Sequence, residues 1–280
     1  MAIMLKNRYL FNLTERIGGF MDIKGKYKKV PKINFMSEGE YQSYYVDICG
    51  EREKFYIKKG TLKRSELQAI YVESFQNHIL NGHCYVRTEI NVNKGDVVVD
   101  AGGCEGYYAK FALNKGADKV IIFEPCADLA AGLKKTFEND IRAGKVLIVE
   151  KALGRRRSKD ILYINQDMFC SSCIVKDEKH TIKQELTTIS LDEALEDIGI
   201  NHIDVLKMDI EDAEVNAVIG ARKTIGLCHP KMIIATYHSY FNAMRIVRIC
   251  KKIDANYKYK LFGCYQFKKP YRPYLTFLSY

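Results

Sequence analysis

The sequence predicts an α/β protein: a doubly wound, mostly parallel, seven-stranded sheet behind an N-terminal extension. Three observations lead there. Short, nearly continuous apolar runs recur from Asn93 onward, as strands buried on both faces of a parallel sheet require. Segments of helical composition and length separate those runs. Up to about Glu89 the chain follows a different regime, rich in Tyr and Lys, with no repeat and no alternation. The change of regime divides the chain into an extension, 1–90, and a sheet domain, 91–280.

The elements follow in chain order. Phe55-Tyr56-Ile57 before Lys58-Lys59-Gly60 predicts a short strand and turn. Ser65 is placed to cap a helix over Glu66–Leu80, where Leu67, Ile70, Tyr71, Phe75 and Ile79 recur at helical spacing, and Asn81-Gly82 ends it. Five buried strands are expected at Asp96–Asp100, Lys119–Phe123, Lys145–Val149, Ile203–Met208 and Lys231–Thr236. Helices are expected at Tyr107–Asn114, Ala127–Asn139 and Ala213–Thr224. The aromatic-rich segments Tyr257–Gly263 and Tyr274–Tyr280, with Pro270 and Pro273 between them, predict a closing hairpin that contributes one antiparallel strand. Arg155–Leu186 breaks the alternation and reads as an insertion, either a hairpin or lid near the site or surface decoration.

Composition narrows the function classes. With 47% hydrophobic and 28% charged residues the chain can bury a sizeable core. No run approaches the roughly 18 apolar residues of a membrane span. Asn12, Thr14, Glu15 and Arg16 interrupt any secretory signal core after Lys6 and Arg8. Nine irregularly spaced cysteines argue against a disulfide framework and suit a cytoplasmic protein. The net charge of +10 invites a nucleic-acid reading, yet the basic residues are spread out, with one dense cluster at Arg155-Arg156-Arg157 and Lys159. A solvated basic surface is the simpler account.

Candidate chemistry begins at Asp100–Gly106, DAGGCEG, where the first sheet strand runs into a helix. Ligands of open α/β sheets bind beyond the carboxyl ends of the strands, where strand order reverses. Gly102 lets the backbone approach a ligand, Gly103 beside it is a further candidate ligand contact, and Gly106 lets the next helix pack tightly. The dinucleotide pattern G-x-G-x-x-G fits Gly102, Gly103 and Gly106 in no register, which disfavours a nicotinamide-dependent oxidoreductase. Glu124 closes the next strand, where a carboxylate can accept both hydroxyls of a ribose.

Asp96–Gly106, Phe123-Glu124-Pro125, Ile189–Leu191 leading into Asp192, and Leu206–Glu214 (LKMDIEDAE) with Gly220-Ala221 resemble the FkbM family of S-adenosylmethionine-dependent methyltransferases. The resemblance runs from about Val92 to the C-terminus. It implies the class I methyltransferase, Rossmann-like fold, S-adenosylmethionine as cofactor, and methylation of a hydroxyl on a sugar or other small molecule. It implies that Asp100, Gly102 and Gly106 line the methionine and ribose part, that Glu124 binds the ribose, and that Lys151-Ala152-Leu153 flank the adenine. One departure stands out: the family's Glu-Gly is here Glu211-Asp212. Aspartate lacks glycine's freedom at positive φ but can cap a helix at Ala213.

Two strand ends supply candidates for acceptor activation. The strand Ile203–Met208 delivers Asp209, also a cofactor contact, and Glu211 to the catalytic edge, with Lys207 one residue earlier. The next strand ends in Thr236-Tyr237-His238-Ser239, and His238 suits base work near neutrality. Asp209 and His238 are the principal candidates, with Glu211 and Lys207 in support. The alternatives are carboxylates that merely pair with lysines and a packed histidine. Cys170 and Cys173 with His180 form half of a zinc pattern, so no metal is assigned. The acceptor pocket is expected from 1–90 and Arg155–Leu186, and the extension is suited to acceptor binding or oligomerisation. RNA or protein as acceptor, and a non-catalytic cofactor-binding protein, are the alternative readings.

Overall fold

The computed structural model describes residues 30–76, 81–165, 168–171 and 182–280. Among the described residues, three antiparallel strands come first, β1 (Met36–Glu38), β2 (Tyr41–Ile48) and β3 (Glu51–Lys58), followed by helix α1 (Arg64–Phe75). The alternating part runs β4 (Val97–Ala101), α2 (Tyr107–Asn114), β5 (Lys119–Phe123), α3 (Ala127–Thr136), α4 (Glu138–Arg142) and β6 (Val146–Val149). A second small sheet holds β7 (Ala152–Leu153), β8 (Ser158–Ile164) and β9 (Ile182–Ile189). The chain then forms α5 (Leu191–Asp197), β10 (Val205–Met208), α6 (Glu214–Ile219) and α7 (Arg222–Cys228). It closes with β11 (Lys231–Ala235), α8 (Asn242–Ile253), β12 (Lys258–Phe262) and β13 (Leu275–Ser279).

The main sheet has seven strands in the order β12-β13-β11-β10-β4-β5-β6. β4 pairs in parallel with β5 on one side and β10 on the other, so strand order reverses there. β13 runs antiparallel to β11 and β12, the expected closing hairpin with one reversed strand. Burial on both faces explains the apolar runs. Val98, Val120 and Ile122 enter one core cluster, while their neighbours Val99, Ile121 and Phe123 enter another across the sheet.

The described part of the extension packs into the sheet domain. Tyr44, Phe55 and Leu67 lie in the same cluster as Tyr107 and Phe111 of α2. The Phe55 and Tyr107 rings meet edge-on with centroids 4.9 Å apart. The insertion forms the antiparallel hairpin β8–β9.

Four local expectations change. The helix expected over Ala127–Asn139 is two, α3 and α4, with a break at Phe137 between them. Helix α1 starts at Arg64 rather than after a Ser65 cap, because Glu66 Oε2 accepts the Lys63 N–H at 2.9 Å. It stops at Phe75, where Gln76 turns extended; 77–80, the rest of the expected helix, lie outside the described residues. The helix expected over Ala213–Thr224 is two, α6 and α7. Asp192 accepts the Lys223 and Thr224 N–H groups at 2.9 and 2.8 Å and so starts a new helix after Gly220-Ala221. Helix α8 was not anticipated, although its buried Ala243, Ile246, Val247 and Cys250 sit at helical spacing. Among the described residues, no helix is long and apolar enough to cross a membrane.

Candidate active site

The loop after β4 lies where strand order reverses, and contact with β10 shapes it. Gly102 has φ +80°, and a Cβ there would lie 1.8 Å from the Asp209 carbonyl oxygen. Any side chain would force the two strand ends apart. Gly106, at φ +93°, faces Phe137 and Leu133 and allows α2 to pack against α3. Beneath the loop, fully buried Asp100 pairs with Lys207 Nζ at 2.9 Å. That ammonium also donates to the Gly102 carbonyl at 2.7 Å and lies 5.3 Å from the centre of the Tyr85 ring. Burial opposes its charge, but Asp100, Asp209 and Glu105 together outweigh burial and raise the Lys207 pKa. Lys207 is therefore committed to bracing the loop.

A cavity of about 340 Å³ opens at this sheet edge. Gly102, Gly103, Glu124, Ala152 and Asp209 border it, as do Lys151 and Leu153 beside Ala152. Asp100 and Gly106 do not: the first lies under the loop and the second faces the helices. Glu124 accepts the Cys104 and Cys126 N–H groups, each at 2.9 Å. Burial pushes its carboxyl up to about 7 despite those bonds. Glu105 is likewise pushed up to about 7 by burial, and its Oε2 is buried without a hydrogen-bond partner. Among the charged residues of a largely apolar lining, carboxylates prevail: Glu73, Glu105, Glu124, Asp209 and Glu211 stand against Lys151 and Lys207. In a chain of net charge +10, that concentration of acid marks a site for a cationic or hydroxyl-rich ligand.

At one end of the cavity, β10 and β11 bring Asp209, Glu211 and His238 together. His238 Nε2 lies 3.2 Å from Glu211 Oε2 and 3.8 Å from Asp209 Oδ1, and Nδ1 lies 3.2 Å from Glu214 Oε1. Burial opposes the charged ring, but Glu214 and Glu211 outweigh it and raise the His238 pKa well above 6.5. The ring is thus a paired cation rather than the free base that its position suggests. Burial also works against Asp209, yet His238, His83 and Lys207 hold its pKa below the ordinary value.

Tyr85 OH donates to Asp209 Oδ2 and receives His83 Nε2–H at 2.8 Å. Tyr85, His83 and Glu214 were not read as site residues. The first two come from the extension, and nothing in their spacing marks them. Glu214 sits inside the quoted LKMDIEDAE segment, but its burial is visible only in the fold.

The departure at Glu211-Asp212 has a structural outcome. Both residues take left-handed backbone, at φ 52° and 74°. Asp212 does not cap α6; its Oδ1 accepts the Asn242 Nδ2–H at 2.8 Å. D212A and D212G both lose that bond, but only alanine pays the left-handed penalty. Urea denaturation should therefore find D212G more stable than D212A by about 1 kcal/mol. Equal midpoints would show that the backbone there is unstrained. Arg155–Arg157 and Lys159 are exposed, with Arg157 paired to Asp197 at 2.6 Å. Of the half zinc pattern, Cys173 and His180 lie outside the described residues.

Residues 93–261, more than half of the chain, match the family described as Methyltransferase FkbM domain. The chain belongs to that family. The match ends at Leu261, short of the C-terminus that the resemblance reached. Among solved structures, methyltransferase FkbM from Methylobacillus flagellatus KT aligns with a TM-score of 0.52 at 17% identity, over 79% of this chain and 56% of that one. This chain therefore spans little more than half of that protein's length. The likeness shows the class I methyltransferase fold. Aeropyrum pernix fibrillarin with S-adenosyl-L-methionine aligns at 0.42 and 11% identity, over 89% and 99% of the two chains. A T. thermophilus 16S rRNA N2 G1207 methyltransferase with AdoMet and guanosine aligns at 0.41 and 12%, over 91% and 53%. No curated protein matches the sequence.

Proposed function

We propose, from its membership of the FkbM methyltransferase family, that this chain binds S-adenosylmethionine and methylates a hydroxyl of a sugar or other small molecule. One observation supports this above others. Glu124 and the Asp209–Glu211–His238 cluster stand along the same edge of the sheet and meet one acid-lined cavity. The residues suit the cofactor's chemistry. Glu124 has lone pairs beyond those used by its two backbone donors, enough for two ribose hydroxyls. Glu105 and Asp209 offer carboxylates to an ammonium and a sulfonium. Ala152 and Leu153 give an apolar wall for a purine.

When bound, S-adenosylmethionine supplies an electrophilic methyl group on a positively charged sulfur. The chain's own task is to hold an acceptor oxygen in line, exclude water and receive a proton. Tyr85, Asp209, Glu211 and Tyr237 form the acceptor end, and Asp209, Glu211 and His238 act there as one coupled acid–base unit. Residues 30–90 contribute Glu73 and Tyr85 to that wall. The acidic lining favours a neutral hydroxylated acceptor over a polyphosphate chain.

Calorimetry with S-adenosylmethionine, its demethylated product and NAD tests the cofactor, with binding of the first two expected. No binding of either overturns the proposal. Affinity should also depend on pH. The ionised carboxylates bind the ligand, and their pKa values near 7 mean that acid removes the binding form. Cofactor binding is expected to weaken about tenfold from pH 8 to pH 6 for each of the two carboxylates, about a hundredfold for both. The double variant E105Q/E124Q should bind weakly at both values, with the slope gone.

A further inference from the structure

We infer that Asp209, Glu211 and His238 bind one divalent transition-metal ion of the Mn²⁺ type in the wall of the cavity. One ligand atom from each lies within 4.8 Å of the others. The separations of 3.2 Å and 3.8 Å from His238 Nε2 are below the roughly 4.4 Å that two bonds of about 2.2 Å can span.

The way the ligands are held is the stronger argument. Glu214, fully buried, faces His238 Nδ1 at 3.2 Å, so an ion that takes the place of the proton between Nε2 and Glu211 leaves the other ring proton with Glu214. Carboxylate–histidine–metal sites use this arrangement. Tyr85 OH engages Asp209 Oδ2, leaving Oδ1 for the ion. Asp209 Oδ1 and both ring nitrogens of His238 are buried without a well-formed hydrogen bond, so the ion pairs around the ring leave them unsatisfied, and the His238 side chain is only 10% exposed. Charge points the same way. Three carboxylates, Asp209, Glu211 and Glu214, surround one imidazole, while Lys207 is committed to Asp100. A divalent cation offsets that excess. Two carboxylate oxygens and one imidazole nitrogen suit manganese, iron or zinc better than magnesium or calcium. Asp209 and Glu211 border the cavity, so the ion would lie where an acceptor oxygen enters. Only this last point rests on the proposed reaction.

Mn²⁺ titration of the full chain by calorimetry, without S-adenosylmethionine, tests the site. One saturable site is expected. H238Q and E211Q should each abolish it, and E214Q should weaken it about 10–100-fold. Electron spin echo modulation of Mn²⁺ bound to the unaltered chain should show one imidazole nitrogen, and its absence overturns His238 as a ligand. Thermal melts without metal identify folded variants, and E211Q carries the test if H238Q does not fold. Absence of saturable binding, or unchanged affinity in E211Q, overturns the site. Mn²⁺ binding to a chain that ignores S-adenosylmethionine would uphold the metal site and sink the cofactor reading. The reverse result would do the opposite.

Discussion

Replacing His238 by alanine is expected to lower methyl transfer by about 10²–10⁴-fold while cofactor affinity stays close to that of the unaltered chain. The two readouts separate because the site has two ends. Glu124, Ala152 and Leu153 border the cavity, whereas His238 is not among its lining residues and acts through Asp209 and Glu211. Removing the ring leaves Glu211 and Glu214 facing each other's charge without the group between them. Both the orientation and the protonation of the acceptor end then change, while the glycine loop does not. Single-turnover rates measured beside cofactor calorimetry would settle it. Full turnover in H238A removes the histidine from the reaction, and loss of cofactor binding would make its role structural.

Lys207→Ala should destabilise the fold by about 3–5 kcal/mol, a large share of the roughly 5–15 kcal/mol that holds a domain together. The cost comes from what remains. Asp100 is fully buried, its partner at 2.9 Å is gone, and the Gly102 carbonyl loses its donor. Replacing both members of the pair, as in D100N/K207M, removes the unpaired charge and should recover much of the loss. Urea denaturation of the two variants makes the comparison. A loss below about 1 kcal/mol in K207A would mean that Asp100 takes a proton at no great cost. The same pairing makes Lys207 a poor catalytic group: it stands at the right strand, but Asp100 and the Gly102 carbonyl hold its ammonium.

The strands of the main sheet were legible because burial on both faces writes itself into consecutive residues. DVVVD, KVIIF and KMIIA could be little else beside helices of that length. The strand-end acids were legible for a related reason. A charged residue closing an apolar run must sit at the sheet's edge, which placed Glu124 and Asp209 correctly along the chain. Helix breaks were harder to see. Whether Ala213–Thr224 is one helix or two depends on Asp192, which meets Lys223 and Thr224 only after folding.

The sequence by itself therefore determined the sheet, its switch point and the family, all of which rest on patterns repeated within a few residues. Tertiary structure alone decided the partners. Tyr85 reaches Asp209 across 124 residues of chain, Lys207 turns to Asp100 rather than to an acceptor, and Glu214 turns His238 into a paired cation. Spacing records which face of an element is buried, because burial acts on neighbours in the chain. A buried charge instead takes whichever opposite charge the fold brings within a few ångströms, and no local pattern carries that choice.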